Sequence, residues 1–233
     1  MIALPPMRKG QATGELDGNA IRTQRTRSRI LAEALSLFNR HGEARVTTAA
    51  ISAALGISPG NLYYHFRNKD AIVEELFRAF ARRIDLQPGA PAAGPEAIED
   101  LWLYLHLMLE AIWDYRFLYR DLDGLLARNR RLHDSFARIL ERKHDSVVAL
   151  CGGLVAVGAM RASPEEIRAL SRNVLVVATY WLEFASLRSG ADRRADAGVA
   201  LGEGAFQVMA LVAPYLRGDA RRLLDRLARS YVD

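Results

Sequence analysis

Two helix starts and one helix stop crowd into residues 46–70, VTTAAISAALGISPGNLYYHFRNKD, which leaves room only for two short helices, a tight corner and the beginning of a third. Thr47 opens the first, with a hydroxyl suited to accept an orphan amide, and Ala49, Ala50, Ala53 and Ala54 favour helix without bulk. Gly56 tolerates the left-handed conformation at which a helix ends. Ser58-Pro59-Gly60-Asn61 then restarts a helix: a cap, a proline at the first helical position, and small residues behind it. Leu62 and Phe66 stand four apart and share a buried face, so Tyr63, Tyr64 and His65 point elsewhere. Asn68 caps the next helix. Lys69 sits in that helix's first turn, where the dipole disfavours a cation unless an external anion waits there.

Charge gathers on the same part of the chain. Through Lys69 there are ten bases (Arg8, Lys9, Arg22, Arg25, Arg27, Arg29, Arg40, Arg45, Arg67, Lys69) against four acids (Glu15, Asp17, Glu33, Glu43), a surplus of six. The formal net charge is +5, so the remainder sums to −1. A basic module on a nearly neutral body is the footprint of a phosphate binder, although a solvated charged face gives the same surplus. Joined to two capped helices at a corner, it points to a helix-turn-helix with residues 58–65 as the recognition helix. Arg25, Arg27 and Arg29 then stand where a first helix reaches phosphates.

The stretch resembles the TetR (TetR/AcrR-type) family of bacterial transcriptional regulators. That family's signature runs through a paired threonine, an Ile-x-x-x-x-Gly helix, Ser-x-Gly, a Tyr-x-His-Phe ending and a following lysine. Thr47-Thr48, Ile51, Gly56, Ser58-Pro59-Gly60, Tyr63-Tyr64-His65-Phe66 and Lys69 match it in order and spacing. The match covers the N-terminal third; the body agrees in helical character only. What the resemblance implies is a cytoplasmic, DNA-binding, ligand-responsive regulator of transcription. In its commonest form this is a homodimeric repressor, released from palindromic double-stranded operator DNA by a small apolar or amphipathic effector. Carried over from the motif, Thr48, Tyr64, His65 and Lys69 hold phosphates while Pro59, Gly60, Asn61 and Tyr63 approach base edges; Thr47 and Ser58 complete the expected interface. Repressor and activator are not distinguished by the chain.

The fold expected is all-α: an N-terminal three-helix DNA-binding domain joined to a larger helical effector-binding and dimerisation domain. Residues 1–22, mixed in Pro, Gly, Gln and Asn, read as a loose arm, 23–69 as the helix-turn-helix domain and 70–86 as a connecting helix. Residues 87–95 hold three prolines and two glycines and mark a joint before the domain at 96–233. Apolar periodicity places the first helix at 23–40 and later ones at 96–115, 117–127, 132–154, 164–188, 199–216 and 221–231, with Pro214 bending or ending the penultimate one.

The segments 164–188 and 196–216 carry apolar residues on more than one face, which calls for cover on both sides; a second copy of the chain supplies it, as the resemblance also implies. Aromatics on the middle helices suggest a small-molecule pocket built from Trp102, His106, Trp113, Phe117, Phe136, Tyr180, Trp181, Glu183 and Phe184, with His106 and Glu183 as polar anchors. The same residues also read as plain core. His106 and Glu110 have metal-ligand spacing, but two ligands are too few, and neither metal nor cofactor is expected. The single Cys151, in VVALCGGLVAVGA, reads as a small core residue in a reducing compartment. That apolar run falls short of the roughly 18 residues of a membrane span, and prolines interrupt the N-terminus where a signal peptide needs an apolar stretch. An enzyme reading finds no nucleophile elbow, phosphate-cradling loop or paired carboxylates. A helical module using its basic end on acidic protein or membrane is the other alternative; steep salt dependence on palindromic DNA separates the two.

Overall fold

The structure, a computed structural model, describes residues 12–85, 97–188, 197–229 and 231. The chain divides into two compact units, Met1–Glu75 and Leu76–Asp233. Among the described residues every regular element is helical, and the one β-bridge pairs Met160 with Leu216.

The N-terminal unit holds α1 (Ala12–His41), a 3₁₀ turn (Glu43–Arg45), α2 (Thr48–Leu55), α3 (Pro59–His65) and the start of α4 (Lys69–Asp85). Its core is Ile30, Ala34 and Phe38 of α1 with Val46, Ile51, Leu62, Phe66, Ile72 and Val73, all buried. The i, i+4, i+8 rhythm of 30, 34 and 38 is the one read from sequence. The start of α1 corrects the expected arm: the helix begins at Ala12 rather than near Thr23. Once residues 23–41 are helical, extension toward the N-terminus adds one hydrogen bond per residue fixed, and no proline lies between Ala12 and Arg22 to stop it. Arg8 and Lys9 lie outside the described residues.

The C-terminal unit takes the rest of α4 and adds α5 (Ala97–Asp114), α6 (Phe117–Arg120), α7 (Leu122–Arg128), α8 (Arg130–Ala156), α9 (Pro164–Arg188), α10 (Ala197–Val212), a 3₁₀ turn (Ala213–Tyr215) and α11 (Gly218–Arg229). α9 packs between α8 and α10, and α5 lies against α10 and α11. The helix expected at 117–127 is two, because Asp121 leaves helical geometry at φ −139°, ψ 42°. Pro214 ends α10 earlier than expected: without an amide it cannot continue the ladder, and the chain tightens into the 3₁₀ turn. α9 starts with a capping box, Ser163 Oγ accepting from Glu166 N at 3.2 Å and Glu166 Oε2 from Ser163 N at 2.7 Å. Gly204 lets α10 approach α9 closely, since a Cβ there would stand 2.8 Å from the Trp181 ring. Cys151 is buried, as expected of a core residue. The joint at 87–95 lies outside the described residues, as does most of the break before α10. No helix among the described residues is long and apolar enough to cross a membrane.

Candidate nucleic-acid interface

The corner at 46–70 is built from its caps. Thr47 Oγ1 accepts from Ala50 N at 3.1 Å and starts α2; Gly56, at φ 64°, ψ 31°, ends it in the left-handed region. Ser58 Oγ accepts from Asn61 N at 3.2 Å and starts α3, with Pro59 in the first turn. Asn68 Oδ1 accepts from Ala71 N at 2.9 Å and starts α4. Leu62 and Phe66 pass into the core, which turns the opposite side of α3 outward: Tyr63 is 51% exposed and Tyr64 77%. Pro59, Gly60 and Asn61 are exposed, and a Cβ on Gly60 would meet nothing closer than Ser58 Oγ at 3.9 Å, so another backbone can approach there. His65 is half-buried, edge-on to Tyr64 at 5.1 Å between ring centres. Thr48 Oγ1 and Tyr63 OH share a hydrogen bond of 3.0 Å that ties α2 to α3.

Beside this face lies a concavity of about 360 Å³ between the starts of α2 and α4, lined by Val46, Thr47, Thr48, Tyr63, Arg67, Asn68 and Lys69. Two helix N-termini and two cations converge on it, the chemistry that holds a phosphate. Lys69 has an internal anion as well as room for an external one. Its Nζ lies 2.8 Å from the buried Glu43 carboxylate and donates to the Glu43 carbonyl at 3.0 Å. An ammonium has three N–H groups, so one direction is left for a phosphate.

Arg27 departs from the expected phosphate role. Its guanidinium donates to the His65 carbonyl and to Glu75, each at 2.9 Å, and lies 4.2 Å from the Phe66 ring centre. It closes the C-terminal end of α3, where helix carbonyls lack partners, and pins that end to α1 and α4. Arg25 and Arg29 are exposed. Sequence reading did not place Arg67 at this concavity or Glu43 beside Lys69, and nothing local marks Glu43 as buried.

Comparison with known proteins finds family matches over both parts of the chain. The family of bacterial regulatory proteins, tetR family, matches residues 30–76, and the TetR bacterial transcriptional repressor family matches residues 75–224. A crystal structure of a TetR-family regulator from Marinobacter aquaeolei is 36% identical, covers 88% of this chain and 98% of that one, and superposes with a TM-score of 0.78. The chain belongs to the TetR family. The HTH-type transcriptional regulator UidR of Escherichia coli is 36% identical over 72 residues, 29% of this chain and 37% of its own length. TtgR of Pseudomonas putida is 27% identical over 129 residues, 54% of this chain and 60% of its own. The match thus spans between a third and two thirds of these two relatives, which are transcriptional regulators and not enzymes.

In the larger unit of this TetR-family chain, the nine residues expected to form an effector pocket do not converge. Phe117 and Phe136 are buried in the core. Trp102 and His106 stack 5.4 Å apart on α5, with His106 Nδ1 3.1 Å from the Tyr231 hydroxyl and Nε2 3.5 Å from Glu110. Trp113 stacks under Arg116 at 4.6 Å. On α9, Trp181 is buried while Tyr180 and Phe184 turn outward and Glu183 is half-buried. By helical spacing 102 and 106 share one face of α5, and 180 and 184 share one face of α9, where both side chains are exposed. None of the nine lines a small apolar cavity found in this unit. That cavity, of about 30 Å³, is bounded by Tyr104, Leu105 and Met108 of α5, Lys143, Val147, Leu150 and Cys151 of α8, Val174 and Leu175 of α9, and Val208 and Val212 of α10. Among the described residues no cluster of three or more metal-binding side chains occurs.

Proposed function

We propose that this protein is a homodimeric, sequence-specific DNA-binding repressor whose grip on its operator a small molecule loosens. The observation that carries the reading is α3: a helix capped by Ser58, anchored by Leu62 and Phe66 and presenting Asn61, Tyr63 and Tyr64 to solvent. In the groove, Pro59, Gly60, Asn61 and Tyr63 meet base edges, and Thr48, Tyr64, His65 and Lys69 hold phosphates, with Arg67 joining them at the concavity. Thr47 and Ser58 act through their caps. Phosphate contacts position the protein and base contacts give it sequence.

One such helix reads few base pairs, so a palindrome needs two. Support for pairing comes from α9, where Val176, Tyr180, Phe184 and Leu187 form a single stripe between 49% and 74% exposed. Four large apolar side chains on one helix face suit an isologous contact with a second copy. We assign the effector site to the small apolar cavity between α5, α8, α9 and α10, which an effector must widen to enter. Effector and operator prefer different states of α4, and their antagonism is reciprocal.

Selection of bound duplexes from a random pool is the test. Wild type is expected to enrich a palindrome whose affinity falls steeply with salt, and Asn61→Ala to enrich a changed or relaxed half-site with little loss on non-specific DNA. Enrichment of nothing at low salt ends the reading; an unaltered Asn61→Ala motif removes Asn61 from base readout.

A further inference from the structure

We propose that Arg27 is a positioning residue for base readout: from α1 it holds the C-terminal end of α3 through the His65 carbonyl, and it is not itself a phosphate ligand. The proposal deepens the DNA-binding reading above and rests on it.

α3 is seven residues long. An isolated helix shorter than about 12 residues is marginal in water, so the direction of α3 is set by what ties it down. At its start Ser58 Oγ accepts from Asn61 N at 3.2 Å. Midway, Tyr63 OH and Thr48 Oγ1 of α2 share a hydrogen bond of 3.0 Å. Leu62 and Phe66 anchor the inner side. The far end is held from α1 and α4 together. Arg27 donates through Nη1 to the His65 carbonyl and through Nη2 to Glu75 Oε2, each at 2.9 Å, and its guanidinium stands 4.2 Å from the Phe66 ring centre.

The side chains of Arg27 and Glu75 are 32% and 18% exposed, which sets this link apart from the fully solvated ion pairs that contribute little. A planar guanidinium serves two acceptors in its plane while its face covers a ring; an ammonium has no such face. The carbonyl it meets belongs to a last helical turn, which lacks partners within its own helix and carries the negative end of the dipole. Arg25 and Arg29, four apart on another side of α1, are exposed. Asn61 and Tyr63 stand four and two residues from His65, so a shift of that end displaces both. Recognition geometry tolerates only about 0.5 Å of error, whereas attraction to a charged backbone extends over several ångströms. Loss of the tether therefore costs sequence preference before it costs general affinity.

The experiment uses the full chain, a duplex selected by wild type from a random pool, and a scrambled duplex of equal length, each titrated over a salt series by fluorescence anisotropy. Arg27→Gln and Glu75→Gln are compared with wild type under conditions where urea titration shows each to be folded. Both variants are expected to lower the operator-to-scrambled affinity ratio about tenfold, the cost of one good base contact, and to leave the salt slope on scrambled DNA unchanged. The two substitutions alter net charge in opposite senses, so a fall in the ratio for both is not a general electrostatic effect. A phosphate ligand behaves otherwise: Arg27→Gln weakens both duplexes equally and lowers the slope by about 1, while Glu75→Gln frees the cation and tightens both. Either of those results, or an unchanged ratio, overturns the proposal. Phenylglyoxal labelling of the unmodified protein, read by mass spectrometry, needs no variant to fold: Arg27 is expected to react at the same rate with and without operator, and protection by operator overturns the proposal. Wild type that selects no operator overturns the DNA-binding reading and this proposal together, whereas an unchanged ratio on a selected operator overturns this proposal alone.

Discussion

At Lys69 two of the three ammonium directions are already taken by Glu43, so this lysine braces the domain as well as offering charge. Lys69→Ala is expected to lower the stability of the N-terminal unit by about 2 kcal/mol in a urea titration, because it removes the ammonium that faces a buried carboxylate. Its loss of DNA affinity will then be partly a loss of folded protein. Arg67→Ala separates the two effects. Arg67 is exposed beside the same concavity, and its removal is expected to leave stability within about 0.5 kcal/mol while lowering the slope of log affinity against log salt by about 1. Equal urea midpoints for Lys69→Ala and wild type would show that Glu43 does not need it. The caps at Thr47, Ser58 and Asn68 were legible in the sequence because their partners are three residues away. The role of Arg27 was not: its partners lie 38 and 48 residues along, and a basic residue near the start of a helix looks the same whether it faces phosphate or a neighbouring helix end.

Among the described helices, α9 has one side turned into the core and another turned to solvent. Trp181, Leu182 and Ala185 pass inward, and the Val176 to Leu187 stripe faces out. The double substitution Phe184→Glu, Leu187→Glu is expected to give a monomer by light scattering with unchanged helical circular dichroism, and to cost operator affinity at least about a hundredfold, since each half-site is then bound alone. A stable dimer carrying both glutamates would place the interface elsewhere. Helix identity was readable from apolar periodicity throughout the body, for instance 105, 109 and 112 on α5, all buried. The cavity between α5, α8, α9 and α10 was not readable, because large aromatics favour core, edge and interface alike, and residue type alone does not choose among them. Helix ends at Asp121 and before Ala213 shifted for backbone reasons that a hydrophobic pattern does not encode.

For the molecule as a whole, buried ionisable groups lower stability at high pH. Burial pushes the Tyr104 hydroxyl from 10 up to about 12 and the Cys151 thiol from 9 up to about 11, and raises Tyr119 further. Between those values the unfolded chain has released protons that the folded chain keeps. The stability these groups contribute is thus full below about pH 9 and falls as pH climbs toward 12. Lys143 works in the opposite sense: burial lowers its pKa, so its cost to the fold fades as pH rises toward 10.5. Tyr104→Phe is expected to remove about 2 kcal/mol of the decline between pH 9 and 12, seen as a flatter run of urea midpoints. An unchanged slope would take Tyr104 out of the account. The apolar stripe on α9 has a further consequence for how much of the protein must be present. Where function requires two chains to find each other, occupancy of a target scales with the square of the amount of lone chain, so modest dilution of the pool shuts the system off abruptly rather than gradually.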